Sequence, residues 1–186
     1  ALDRFGTLDS RADGEALLVR EKPTYDGAVP SGNSVAAENL LRLYDFTAEG
    51  RFREAAEKLF ASSSKITRAP IGSPRLLGAL DRYYDRALQV AIVSKDVREA
   101  GGALEALLRA AFLPNKVVAV VGEAQAEAQQ ARVPWLEGKS AIHDLPTAYV
   151  CERGRCELPT SKPAVFAGQL AKVTPYPSFS TSPPPR

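Results

Sequence analysis

Two clusters in this sequence combine residue types and spacings that suit chemistry. The first is the run Asp26-Gly27-Ala28-Val29-Pro30-Ser31-Gly32-Asn33-Ser34. It joins a carboxylate, two glycines and three hydrogen-bonding side chains just before a helical pattern. Exposed backbone N–H groups at such a turn can hold an anion or a sugar hydroxyl. Asp26 is the best general acid or base candidate in the chain. The same residues would equally form an elaborate helix cap, with Asp26 fixing the loop. The second cluster is Cys151-Glu152-Arg153-Gly154-Arg155-Cys156. Arg153 and Arg155 would lower a neighbouring thiol pKa and favour the thiolate. A hairpin turn would bring Cys151 and Cys156 close enough to bond. Two ordinary thiols flanking a turn fit the pattern as well. The spacing differs from the two-residue gap of a thioredoxin-type redox motif.

Other chemistries lack their residues. His143 is the single histidine, so two-histidine metal motifs are ruled out and no metal site is expected. No nucleophile motif stands beside it. The turn after the first strand pattern, Ser94-Lys95-Asp96, has no glycine. With neither a dinucleotide fingerprint nor a phosphate loop, no cofactor is expected.

The elements that position these clusters follow from periodicity. Ser31, Asn33 and Ser34 are all credible caps for a helix over Val35 to Phe46. A break at Glu49-Gly50 leads to a second helix with the stripe Phe52, Ala55, Ala56, Leu59 and Phe60, making a helical hairpin. It loosely follows a tetratricopeptide pattern, but a single hairpin is too little for that architecture. Ser73-Pro74 opens a third helix with proline at its first position; its stripe is Leu76, Leu77, Leu80, Tyr83 and Tyr84. Beyond it the pattern changes. Gln89 to Ser94 and Lys116 to Val121 read as buried strands around a helix over Glu99 to Phe112. That order predicts a βαβ unit with parallel pairing. Thr147 to Glu152 predicts a third strand, and Lys162 to Lys172 a closing helix. Leu17 to Arg20 predicts a short strand inside a loop-rich beginning.

The fold expected is therefore mixed α and α/β. Its divisions are a helical segment over 1–87, a small α/β lobe over 88–174, and a Pro/Ser-rich disordered tail over 175–186. Composition agrees with a folded chain: 45% of the 186 residues are hydrophobic and 25% charged, with a net charge of +2. Residues 1–60 carry a net −3 and the rest +5, a mixed solvated surface rather than a nucleic-acid footprint. No apolar run reaches the ~20 residues of a membrane span, and no signal-peptide pattern begins the chain. Nucleic acid and membrane are thus not expected partners, and the expected location is cytoplasmic.

The stretches Leu17-Leu18-Val19-Arg20, Asp26 to Ala37 and Asn39-Leu40-Leu41-Arg42-Leu43 resemble a known family. Phe112-Leu113-Pro114-Asn115, Ala148-Tyr149-Val150-Cys151, Cys156 and Pro159 extend the likeness. The family is that of thioredoxin-domain-containing proteins related to spermatogenesis-associated protein 20 and bacterial YyaL. The resemblance implies the C-terminal part of a chain with a thioredoxin-like domain and an (α/α)6 toroid similar to six-hairpin glycosidases. The helical segment would then be the end of the toroid, and the methionine-free chain a fragment, inactive alone. Its partners would be the missing thioredoxin and toroid portions, with carbohydrate as the implied ligand. Asp26 would be the catalytic candidate, with Ser31, Asn33 and Ser34 as substrate-binding residues of a central funnel. One departure is plain: glycosidases use two facing carboxylates, and only Asp26 stands near this site. Two further readings are a non-catalytic interaction or scaffold domain and a thiol-redox partner acting through Cys151 and Cys156.

Overall fold

The computed structural model describes residues 2–3, 6–7, 25–63, 70–85, 87–99, 102–152 and 154–173. The expected strand at Leu17 to Arg20 and the tail over 175–186 lie outside the described residues. The chain divides into two compact units, Ala1–Tyr84 and Asp85–Arg186.

The first unit is helical. Two short strands, β1 (Leu2–Asp3) and β2 (Gly6–Thr7), pair antiparallel. Helix α1 spans Gly32–Thr47, α2 Gly50–Ser62 and α3 Pro74–Tyr84. Of the three cap candidates, Ser31 is the N-cap of α1: its backbone is extended and its side chain accepts from the Ser34 N–H. The helix therefore begins three residues before Val35. It ends at Ala48, in the left-handed region with φ 56°, whose N–H returns to the Tyr44 carbonyl. Two residues later α2 begins. Helix α1 packs against both α2 and α3. The shared core is Ala37, Leu40 and Leu41 with Ala56 and Leu59 and with Leu76 and Ala79. Alanines on all three helices let the backbones approach closely, and the leucines fill the space between them.

Two expectations on helix faces need correction. The helical period predicts Ala36, Leu40 and Leu43 on one apolar face of α1, but Leu43 points outward, with 43% of its surface exposed. On α3 the buried positions are Leu76, Ala79 and Arg82, while Tyr84 is exposed. Arg82 is buried because Asp45 of α1 receives it: Nε lies 2.9 Å and Nη2 2.6 Å from Asp45 Oδ2. A charged residue on the buried face is invisible to a search for apolar periodicity.

The second unit is a four-stranded sheet between helices. Strands β3 (Leu88–Ser94), β4 (Lys116–Gly122), β5 (Thr147–Glu152) and β6 (Arg155–Cys156) lie in the order β4-β3-β5-β6. The β3–β4 pair is parallel, as expected, with Val90 opposite Val118. The third strand pairs antiparallel with β3, with Ala91 opposite Tyr149. The central β3 is buried on both faces, which explains its nearly unbroken apolar run. On one face Leu88, Val90 and Ile92 meet Leu104 and Leu108 of α4 (Gly102–Ala110) and Phe166 and Leu170 of α6 (Pro163–Ala171). On the other, Ala91, Val93 and Tyr149 meet Ala126 of α5 (Glu123–Gln129) and Leu136. Phe166 is fully buried; truncating such a side chain to alanine costs about 3–5 kcal/mol.

Helix α4 is shorter than the expected Glu99 to Phe112. A 3-10 turn over Val97–Glu99 precedes it, and Gly102 opens it with φ 72°. The positive φ breaks the helix there. Strand β6 and helix α5 add to the elements that periodicity revealed. With helices in one unit and a helix-covered sheet in the other, the fold is mixed α and α/β.

Candidate functional site

The segment from Tyr25 to Ser34 is held by Asp26. Its N–H donates to the Gly72 carbonyl at 2.8 Å. Its Oδ1 accepts the Ser31 N–H at 2.8 Å. Its Oδ2 accepts the N–H groups of Arg75 at 2.9 Å and Leu76 at 3.3 Å, in the first turn of α3. One carboxylate thus fixes the residue that caps α1 and also caps α3. The free N–H groups of a helix start and its positive dipole end both favour a negative charge there.

Burial alone would raise the pKa of Asp26. The Ser31 N–H, the Ser34 hydroxyl and the Leu76 and Arg75 N–H groups outweigh it and hold the carboxyl below its usual value. An ionised carboxylate with backbone donors on both oxygens is a weak base and not an acid at neutral pH. Its geometry is that of a positioning group.

Ser31, Asn33 and Ser34 are all buried. The Ser31 and Ser34 hydroxyls lie 2.8 Å apart, and the Ser34 N–H donates to Ser31 Oγ at 3.2 Å. The structure therefore brings Asp26, Ser31 and Ser34 into one hydrogen-bonded cluster beneath the loop, with Asn33 buried beside them on the first turn of α1. The exposed side of the loop consists of Tyr25, Gly27, Ala28, Val29 and Pro30. Tyr25 is 71% exposed. A Cβ on Gly27 would come 3.3 Å from its ring, and one on Gly72 3.2 Å. Both glycines therefore make room for the aromatic. Glu38 on α1 binds Arg75 of α3 at 2.5 Å and Arg42 at 2.7 Å, adding charge near the same helix starts. The sequence signal for Tyr25 was its place beside Asp26-Gly27. Only the fold could reveal its second support at Gly72.

In the second unit Cys151 and Cys156 form a disulfide across the β5–β6 pair. Cys151 is buried and Cys156 exposed. Gly154, at φ 76°, supplies the turn conformation that lets the chain reverse between them. The bonded alternative is thus the one observed, and two free thiols are not.

His143 is exposed and stands with Asp144 in a tight turn, φ 54° and 57°, closed by the Leu145 N–H to the Ile142 carbonyl at 3.1 Å. Lys95 binds Asp144 at 3.2 Å and Glu123 at 3.1 Å. No acidic, cysteine or histidine cluster among the described residues could hold a metal ion. No helix among them is long and apolar enough to cross a membrane.

The chain is 32% identical to human spermatogenesis-associated protein 20 over 151 residues, covering 81% of this chain and 19% of that protein. It is 29% identical to the mouse protein of the same name over the same length and shares. An uncharacterised protein of Caenorhabditis elegans is 29% identical over 157 residues, covering 83% of this chain and 21% of that protein. The chain thus spans about one fifth of the length of these relatives. No family model matches it, and no solved structure does.

Proposed function

This chain is a homologue of the spermatogenesis-associated protein 20 family, and on that premise we propose that it works as one segment of a larger carbohydrate-related protein. The larger protein would carry a thioredoxin domain and a six-hairpin, glycosidase-like toroid. In this reading the turn from Asp26 to Ser34 forms part of the rim of a sugar site. Residues outside this chain complete the site, and the chain alone is inactive.

The observation that carries the reading is the Tyr25 ring, exposed and braced between Gly27 and Gly72. An exposed aromatic face beside a polar turn offers an apolar platform with hydrogen-bonding groups at its margin. The C–H face of a sugar ring has the complementary chemistry. Asp26 acts as a positioning residue, and the buried Ser31, Asn33 and Ser34 shape the rim from beneath. Exposed Val29 and Ile71 lie on the loop and on the 3-10 turn that ends at Gly72, which suits a surface finished by other helices.

The test is a glycan-binding screen on the full-length parent. A bound sugar is expected, with Tyr25→Ala abolishing binding while circular dichroism and thermal unfolding stay unchanged. A parent that binds no sugar, or that binds one with undiminished affinity after Tyr25→Ala, overturns the reading.

A further inference from the structure

The disulfide opens onto a cleft. A cavity of about 830 Å³ in the second unit is lined by Leu88, Val150, Cys156, Leu158, Gln169 and Val173, with Glu152, Arg155, Glu157 and Lys172 among its charged residues. Small-molecule sites fall in the same range, about 300–1,000 Å³. Strand β6 and the residues after it form one wall, and α6 forms the other.

Gln169 ties the walls together and is 5% exposed. Its Nε2 donates to the Leu158 carbonyl at 2.7 Å. Its Oε1 is buried and accepts no hydrogen bond among the described residues. A buried amide oxygen without a donor is costly, and native structures rarely leave one so. The oxygen is closed to solvent, so a molecule in the cleft does not reach it. Arg155 is exposed at the rim and has no ion pair among the described residues; Lys172 is held by Glu157 at 3.3 Å. The rim thus offers Arg155 to a carboxylate, beside Glu152 and Glu157.

We propose that this cleft binds a small thiol that carries a carboxylate and that Cys156 exchanges with it. The ligand's carboxylate meets Arg155, and its sulfur lies beside the exposed Cys156. The apolar residues Leu88, Val150 and Val173 take its methylenes. The ligand thiolate attacks Cys156 Sγ, forming a ligand–Cys156 disulfide and breaking the Cys156–Cys151 bond. The electron pair of that bond stays on Cys151 Sγ, which takes up a proton from solvent. A second thiolate then attacks the ligand sulfur and releases Cys156 as a thiol. Two ligand thiols are oxidised to one ligand disulfide, and the protein disulfide is reduced to two thiols. The inference is independent of any sugar site.

The experiment incubates the oxidised chain with glutathione, a tripeptide thiol, or with mercaptoethanol at equal thiolate concentration. Peptide mapping by mass spectrometry locates the adduct and times its formation. The adduct is expected on Cys156, forming about tenfold faster with the tripeptide, since one charge-assisted hydrogen bond supplies that factor. Arg155→Ala, on the surface, should remove most of the preference. Equal rates with the two thiols, an adduct on Cys151, a bond inert to both, or a preference untouched by Arg155→Ala overturns the proposal.

Discussion

The Asp26 carboxylate accepts the backbone N–H of Arg75 at 2.9 Å across 49 positions of chain. This bond makes the loop before α1 and the start of α3 a single structural unit. It also explains why a residue with the look of a catalytic acid sits where it does: the helix start supplies the donors that hold it ionised.

Removing that carboxylate should loosen both helix starts together. Asp26→Ala is expected to cost about 2–4 kcal/mol, the range for losing a buried charged cap with several donors. Amide hydrogen exchange at Ser31, Arg75 and Leu76 should accelerate in the variant. Unchanged protection at those three amides would refute the positioning role.

Acid should erase the same contribution. The carboxyl of Asp26 is lower in the folded chain than in the unfolded chain, where it titrates at about 3.9. Its stabilisation is therefore full above that value and fades as pH falls through the folded pKa. Thermal unfolding of the chain and of Asp26→Asn should differ most near neutrality and converge in acid. A gap that widens as pH falls would contradict the assignment.

The buried pair in the first unit should respond asymmetrically. Burial pushes the Asp45 carboxyl up, with the Arg82 guanidinium pulling the other way. Arg82→Met alone takes the guanidinium away from the Asp45 carboxylate and is expected to cost about 3–5 kcal/mol. Replacing both partners, Arg82→Met with Asp45→Leu, should recover most of that loss. Urea denaturation of the two single variants and the double variant gives the coupling directly.

Two glycines should give opposite signs. A Cβ on Gly122 would come 2.9 Å from the backbone N of Val97, so Gly122→Ala should destabilise by about 1–3 kcal/mol. Gly168 lies inside α6 with nothing within 4 Å of a new Cβ. Gly168→Ala should stabilise by about 1 kcal/mol, the helical preference for alanine. Thermal melts of the two variants provide the comparison.

The elements legible in the sequence were those whose own side chains announce them. The apolar runs at β3 and β4, the strand at Thr147 to Glu152 and the proline opening α3 all declare themselves locally. Gly102 was harder to read, because a glycine pair inside an apolar period looks like a tolerated defect rather than a helix start. Strand β6 has two residues and exists only through its partner β5. The Asp26 cluster was visible as a motif, but its donors lie 49 and 50 positions away. Local spacing could not choose between acid chemistry and a shared helix cap. Arg82 was missed because its burial depends on Asp45, a partner on another helix.

The sheet order has one more consequence. Among the described residues, strand β4 stands at the end of the order β4-β3-β5-β6, bonded to β3 on one side only. Its centre reads Val117-Val118-Ala119-Val120-Val121, free of charge and proline. A strand of that composition with an open edge is a template for stacking identical copies. Handling the chain at high concentration therefore favours fibre growth from this edge.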